Sequence, residues 1–195
     1  MPPHYVVERV VHSQKDGETF TDTVYHRLRP FAMVNQLGDT ITLSAIDGTL
    51  TLVNFFSAQD TTVSAKVARA LKKLASSFAQ SDTGFHVLSI TTDPVADSLP
   101  VLLDYAFRLQ VKHNVWWFLR DSLSVVKDIA ATDFKVSLKP HGPQNLLSSP
   151  TLVLLDRFQH VRGYYNALDS TAVRRCARDL SLLMIEKEKL NGVER

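Results

Sequence analysis

The sequence contains a single cysteine, Cys176, among its 195 residues. One thiol cannot form an internal disulfide, and it cannot supply a zinc site built on cysteine ligands. The chain also lacks any run of about 18 apolar residues, so we expect no membrane-spanning helix. Its formal net charge of +2 is too small to favour nucleic acid or an anionic membrane as the main partner.

The chain also lacks a recognisable targeting segment and any internal repeat. Met1–Tyr5 has neither a basic nor an apolar character, so we expect a cytosolic protein or the mature part of an exported one. The hydrophobic content of 45% is ordinary for a soluble globular protein, and the length suits one domain with an added arm. We place the arm at 1–30, the domain at 31–188 and a flexible tail at 189–195.

The arm has the pattern of a β-hairpin. Two β-rich runs, Val6–Val11 and Glu18–Tyr25, flank Asp16-Gly17, a pair that supplies the positive φ of a tight turn. A second turn at 37–39 leads into a short strand.

From Leu50 onward the pattern alternates between strands and helices. Leu50–Phe56 is a nearly continuous apolar run, as expected for a central strand buried on both faces. The next segment carries apolar residues at helical spacing, namely Val63, Val67, Leu71, Leu74 and Phe78. Two more strand–helix units follow, and then two strands whose three-residue link forces them to be antiparallel. A last helix is predicted from an N-cap at Ser170 to about Lys187.

This order of elements predicts an α/β, thioredoxin-like fold: a mixed sheet with helices on both faces and a terminal antiparallel hairpin. In that fold a proline, usually cis, precedes the first strand of the terminal hairpin. "SSPTLVLLD" places such a proline at Pro150, and we therefore predict a cis peptide bond before it.

Several segments resemble the SCO/SenC family, thioredoxin-fold copper chaperones linked to cytochrome c oxidase assembly, in particular its Bacteroidetes-type members. The similar segments include "TDTVYHRLRPFAMVNQLGDTITLSAIDGTLTLVNFF", "SITTDPVADSLPVLLDYAFRL", "VWWFLRD" and the final hairpin. The resemblance covers most of the chain, and the segments occur in the family's order.

The resemblance implies a copper site that this sequence does not contain. The family's two cysteine ligands fall on Thr61 and Ala65, and its histidine falls on Ser148. A soft Cu(I) site needs thiolate or thioether ligands, so neither hydroxyl can replace a thiolate. Disulfide exchange is excluded as well, because it requires a thiolate at this position. We expect no cofactor.

Two residues are candidates for a replacement site. Asp60 lies in the loop before the first long helix, where Thr61 or Thr62 is the expected N-cap and Asp60 a favourable acidic neighbour. His141 lies in the "LKPHGPQNLL" loop, which can reach the same place in this fold. Each is either an ordinary structural residue or a surrogate metal ligand.

Two further alternatives involve other parts of the chain. Cys176 is on the apolar face of the last helix, where it is either an inert core thiol or a thiol that works with an external partner. The groove beside Pro150 is a candidate peptide-binding site. Trp116 and Trp117 alternate on a strand, so we expect one in the core and one partly exposed.

The sequence and the resemblance together predict a protein that is not an enzyme and that acts by binding another protein. The resemblance implies an oxidase subunit or assembly factor as that partner, and an extracytoplasmic or periplasmic location. It also implies a membrane anchor in the full-length precursor that is absent from this chain. The alternative is a copper chaperone that uses surrogate ligands such as His141.

Overall fold

The computed structural model describes residues 2–3, 6–15, 18–78, 84–142 and 144–193. Within this part of the chain, the predicted strands and helices occur in the predicted order, together with further short strands that the sequence did not predict. The strands are β1 (Val7–Lys15), β2 (Glu18–Tyr25), β3 (Ala32–Val34), β4 (Thr40–Thr42), β5 (Leu50–Phe56), β6 (Phe85–Thr91), β7 (Trp116–Leu119), β8 (Lys139–His141), β9 (Leu146–Ser148), β10 (Thr151–Leu155) and β11 (Val161–Asn166). The α-helices are α1 (Val63–Phe78), α2 (Leu99–Leu109), α3 (Leu123–Thr132) and α4 (Ser170–Val193), and a short 3₁₀ helix covers Leu43–Ile46.

The N-terminal arm is an antiparallel pair of β1 and β2, as predicted. Lys15 pairs with Glu18 at one end and Val7 with Tyr25 at the other, so the first strand extends beyond its predicted end. The predicted turn residues 16 and 17 lie outside the described residues. A second small antiparallel pair, β3 and β4, surrounds the predicted turn at 37–39.

The central sheet has five strands in the order β11-β10-β5-β6-β7. β5 and β6 are parallel, as are β6 and β7, whereas β10 runs antiparallel to both β5 and β11. This mixed sheet, with its terminal hairpin, confirms the predicted thioredoxin-like α/β fold. The parallel pairs place the carboxyl ends of β5 and β6 side by side, where the loops that follow them meet.

Helices cover both faces of the sheet. Side chains of β5 alternate between two hydrophobic clusters, because successive residues of a strand point to opposite faces. Leu52 and Phe56 pack with buried residues of α1, α2 and α4, and Val53 and Phe55 pack with those of α3 and the β3–β4 segment. All seven residues of β5 are buried, as the apolar run predicted.

A buried polar ladder joins the three parallel strands at the centre of this core. Ser89 Oγ donates to Asn54 Oδ1 at 2.6 Å, and the indole nitrogen of Trp116 donates to Ser89 Oγ at 2.8 Å. Trp116 is buried, whereas Trp117 is partly exposed and stacks on His86 with ring centroids 4.4 Å apart. The predicted division between the two tryptophans is confirmed.

Pro150 lies immediately before β10, as predicted, but its peptide bond is not cis. No cis bond occurs among the described residues, which include Ser149 and Pro150. The trans form is intrinsically favoured by about 0.5–1 kcal/mol, and two hydrogen bonds flank this proline. Ser149 Oγ accepts from Thr151 N at 3.2 Å, and the Pro150 carbonyl accepts from Ala167 N at 2.8 Å.

The last helix, α4, extends past its predicted end at Lys187. Its N-terminus is capped by Asp169 rather than by Ser170, since Asp169 Oδ1 accepts from Thr171 N at 2.8 Å. In the described ranges, we find no helix with both the length and the apolar character needed to cross a membrane.

Candidate functional site

The candidate site lies where the loop after β5 enters α1. The β8–β9 hairpin, a segment that the sequence pattern predicted to be a loop, forms the other side of the site. His141 ends β8 and Ser148 ends β9, and Lys139 pairs with Ser148 in an antiparallel register. The hairpin therefore brings His141 and Ser148 to the loop that carries Asp60.

Asp60 is the centre of this site. Its carboxylate is buried, with 4% exposure, and it accepts six hydrogen bonds. Oδ1 accepts from Thr62 N at 2.8 Å, Thr62 Oγ1 at 2.6 Å and Val63 N at 3.1 Å. Oδ2 accepts from Ser64 N and Ser64 Oγ, both at 2.9 Å, and from Ser148 Oγ at 3.1 Å. We call these five residues the Asp60 network.

The Asp60 network keeps its carboxylate ionised. Burial by itself would raise the pKa of Asp60, but the hydrogen bonds from Thr62 and Ser64 outweigh burial and hold that pKa well below its usual range. Three of the donors are the N–H groups of Thr62, Val63 and Ser64 at the start of α1, where the helix dipole also favours an anion. The side chain that binds these N–H groups belongs to Asp60, whereas Thr62, one of the two predicted N-caps and the residue before α1, donates its hydroxyl to that carboxylate.

The three positions that the resemblance assigned to copper ligands have different environments. Thr61 is exposed, and Ala65 is partly buried with its N–H donating to the Asp60 carbonyl at 3.3 Å. Ser148 is fully buried, and its hydroxyl is bound to the Asp60 carboxylate. No thiolate or imidazole occupies any of the three.

His141, the other candidate ligand, lines a cavity of about 230 Å³ together with Gln59, Asp60, Thr61, Thr62, Gly142, Gln144 and Leu146. Its Nε2 is buried and makes no hydrogen bond with a described residue. Among those residues, no group of three or more His, Cys, Asp or Glu side chains is arranged to hold a metal ion. The structure thus brings Asp60, Thr61 and His141 together without completing a metal site.

A second buried carboxylate, Asp97, binds the backbone of the same loop, and no sequence pattern indicated it. Its Oδ2 accepts from Ala58 N at 3.0 Å and from the Thr91 hydroxyl at the end of β6. Burial is the main cause that raises the pKa of Asp97. The Ala58 contact joins residues 39 positions apart, so no local pattern could have indicated it.

Cys176 lies away from this loop, in the core beneath α4. It is 0% exposed, and burial, followed by the nearby Asp179 carboxylate, raises the pKa of its thiol to about 12. Such a thiol is neutral and inaccessible at physiological pH, whereas a reactive cysteine is ionised and accessible. The geometry therefore favours the inert core thiol over the exchanging one.

Comparison with known proteins agrees with this architecture. The SCO1/SenC family model matches residues 21–181. A SCO1 protein homolog of Bacillus subtilis (strain 168) is 22% identical over 157 residues, which are 80% of this chain and 81% of that protein.

Two solved structures are similar in fold. A SCO1/SenC family lipoprotein from Bacillus anthracis has a TM-score of 0.74 at 18% identity, over 82% of this chain and 96% of that one. Copper-bound ScoI of Arabidopsis thaliana has a TM-score of 0.65 at 16% identity, over 79% of this chain and 98% of that one. Because the family match spans most of the sequence, the chain belongs to the SCO1/SenC family.

Proposed function

We propose that this protein is a SCO1/SenC protein without a redox or copper site, which acts by binding another protein in respiratory-complex assembly or copper handling. SCO1/SenC proteins are known as copper-binding proteins of cytochrome c oxidase assembly, and this supports the setting. It is not an enzyme in this proposal, since the single cysteine of the sequence is buried in the core and the hydroxyls of Thr62 and Ser148 are bound to Asp60. Its partner is an oxidase subunit or an assembly factor.

The observation that carries the proposal is the Asp60 network. Ser148, at the position expected for the copper-binding histidine, uses its hydroxyl to bind Asp60 instead. The carboxylate in turn is saturated by six donors, so binding a cation would require several of these bonds to break. The site is therefore closed by internal hydrogen bonds as well as lacking sulfur ligands.

We also propose an extracytoplasmic location, with the full-length precursor anchored to a membrane. The similarity to a SCO1/SenC family lipoprotein supports this part of the proposal. The formal net charge of +2 is too small to favour nucleic acid as the main partner.

One observation favours a second candidate function, a copper chaperone with surrogate ligands. His141 Nε2 is buried without a hydrogen bond and lines the same cavity as Asp60 and Thr61. Imidazole is a suitable ligand for copper, but it is one ligand, and a site would need further donors from a partner.

Copper titration of the purified chain separates the two functions. We expect no stoichiometric binding of Cu(I) or Cu(II) with a Kd below about 1 µM in competition with a chromogenic chelator. Stoichiometric binding that disappears in His141→Ala would overturn the proposal and establish the surrogate site. Binding that survives His141→Ala would also contradict it, since copper would then be held elsewhere.

A matched control shows that the assay can detect a site in this fold. Thr61→Cys with Ala65→Cys places two thiols four residues apart at the start of α1, one at an exposed and one at a partly buried position, and two thiolates suit Cu(I). We expect this variant to bind one Cu(I) with a Kd well below about 1 µM. If the control binds and the wild type does not, the difference lies in the ligands and not in the scaffold.

The protein-binding part of the proposal has its own test. Deleting the gene in its source organism should lower the amount of assembled oxidase, and both wild-type protein and His141→Ala should restore it. If wild-type protein restores oxidase but His141→Ala does not, copper transfer is favoured. Unchanged oxidase after deletion would place the protein outside this process.

A further inference from the structure

The exposed side of α1 is strongly basic. The helix contains no acidic residue and four basic ones, Lys66, Arg69, Lys72 and Lys73. Lys72 is half-buried and the other three are exposed. Arg69 Nε donates to the Ala65 carbonyl at 3.2 Å, and Lys72 Nζ donates to Gln110 Oε1 at 3.3 Å, so both acceptors are uncharged. Because the whole chain has a formal net charge of only +2, positive charge is concentrated on this helix.

A cavity of about 160 Å³ lies beside this basic face, between α1 and the segment that joins α2 to β7. Its floor is apolar, since Ala75 and Trp116 are buried and Val111 and Val115 pack against the hydrophobic cluster that contains the buried residues of α1. Its rim is polar and carries one lysine on each wall; the rim residues are Lys72, Ser76, Gln110 and Lys112. We call the cavity with its surrounding cations the α1 surface, and those cations are Lys66, Arg69, Lys72, Lys73 and Lys112. None of the five forms a salt bridge with a described residue.

The size and the side chains of the α1 surface limit what can bind there. Pockets for small-molecule ligands usually have about 300–1,000 Å³, whereas this cavity accommodates about one apolar side chain. A helix that inserts into a membrane surface carries large apolar side chains on its outer face, and a nucleic-acid strand is bound by exposed aromatic rings. Of the large hydrophobic residues that are exposed in the described part of the chain, none lies on α1. The surface therefore fits a segment of protein better than a small molecule, a membrane or a nucleic acid.

We propose that the α1 surface binds an acidic segment of a partner protein. One apolar side chain of that segment enters the cavity, and carboxylates on either side of it contact Lys72 and Lys112. Charge complementarity argues for an acidic partner, because the five cations have no salt-bridge partner among the described residues. Since exposed ion pairs contribute little individually, the apolar side chain in the cavity supplies most of the affinity and the charges supply selectivity.

This inference rests on the proposed function, which calls for a protein partner, and it adds the surface and the chemistry of that partner. It uses no residue of the Asp60 network, and it does not involve His141. Its test is the binding of a peptide, which measures neither copper nor oxidase. A negative peptide result would overturn the α1 surface and leave the proposed function to the copper and oxidase experiments, whose failure would in turn leave the peptide affinity unchanged.

Fluorescence anisotropy of a labelled peptide tests the α1 surface. The probe is the peptide Glu-Asp-Phe-Glu-Asp with an N-terminal fluorescein and an amidated C-terminus, in about 50 mM salt. We expect the purified chain to bind this probe with a Kd below about 200 µM. Replacing the phenylalanine of the probe by alanine should weaken binding at least about tenfold, because no side chain then fills the cavity. Raising the salt to about 500 mM should also weaken binding at least about tenfold, because it screens the exposed charges.

Two double variants of equal net charge locate the binding. Lys72→Glu with Lys112→Glu reverses both charges at the rim and should weaken binding of the probe at least about tenfold. Lys127→Glu with Lys135→Glu is the matched control, since both lysines are exposed and lie on or directly after α3, and we expect it to bind like the wild type.

Three results would overturn the proposal. The first is a wild-type chain that does not bind the probe, including one that sediments with phosphatidylserine vesicles instead. The second is an equal loss of affinity in the two double variants, since net charge alone would then explain binding. The third is equal affinity for the phenylalanine and alanine probes, since the cavity would then take no part.

Discussion

Replacing Asp60 by alanine is the most direct perturbation of the candidate site. The substitution removes a helix cap, which costs about 1 kcal/mol. It also leaves the fully buried Ser148 hydroxyl, and the hydroxyl of Ser64, without this acceptor; each such loss costs about 1–3 kcal/mol. We therefore expect Asp60→Ala to lower the free energy of unfolding by about 3–7 kcal/mol. Asp60→Asn keeps the shape and one acceptor oxygen, so its loss should be nearer about 2 kcal/mol.

Urea unfolding, followed by tryptophan fluorescence and circular dichroism, measures both losses, and pH provides a second test. The folded pKa of Asp60 is lowered relative to the unfolded chain. Its contribution to stability is therefore complete above the unfolded pKa of about 4 and is lost as pH falls below that value. The difference in unfolding free energy between wild type and Asp60→Ala should therefore decrease as the pH falls from about 5 to about 3.

Two results would refute this reasoning. One is an Asp60→Ala protein whose unfolding free energy lies within about 1 kcal/mol of the wild type at pH 7, since the six hydrogen bonds would then contribute little. The other is a stability difference that does not change with pH, because the ionised carboxylate would then not be the stabilising form.

Two further predictions concern the core. Iodoacetamide should modify Cys176 in the native protein no faster than the protein unfolds, because the thiol is buried. The urea-unfolded chain should react at the rate of an exposed cysteine. Rapid labelling of the native protein would instead show that α4 exposes the thiol. Gly163→Ala should destabilise the fold by about 1–3 kcal/mol. The Cβ of the introduced alanine would lie 2.2 Å from Tyr165 Oη and force the tyrosine ring away from Asp179. An unchanged midpoint of urea unfolding would show that the ring can move without cost.

The parts of the fold that the sequence predicted are those with a strong local period. The burial of β5 on both faces follows from its apolar run, and α1 was predicted because its apolar residues, from Val63 to Phe78, recur at helical spacing. The β8–β9 hairpin has no such period. Its strands have three residues each, and Pro140 interrupts the first, so a strand pattern was not visible.

The sequence indicated where the candidate site lies, but not which side chains contact one another there. The strand–loop–helix pattern placed Asp60 correctly at the junction but favoured Thr61 or Thr62 as the N-cap. No local pattern could indicate the contact with Ser148, which is 88 positions away and donates to Asp60 Oδ2. The cis prediction for Pro150 is wrong, since it followed from the fold class alone and no residue pattern near Pro150 supported it.

The N-terminus of α1 links two features of this site, the position of Asp60 and the lack of a thiolate. The N-terminus of a helix presents unpaired N–H groups and a partial positive charge, and these stabilise an anion, whether it is a thiolate or a carboxylate. In this chain the N–H groups of Thr62, Val63 and Ser64 are already bound to the Asp60 carboxylate. They are therefore not available to lower the pKa of a neighbouring thiol or to attract an anionic ligand. At this helix N-terminus, the carboxylate of the protein itself satisfies the N–H groups that could otherwise stabilise another anion.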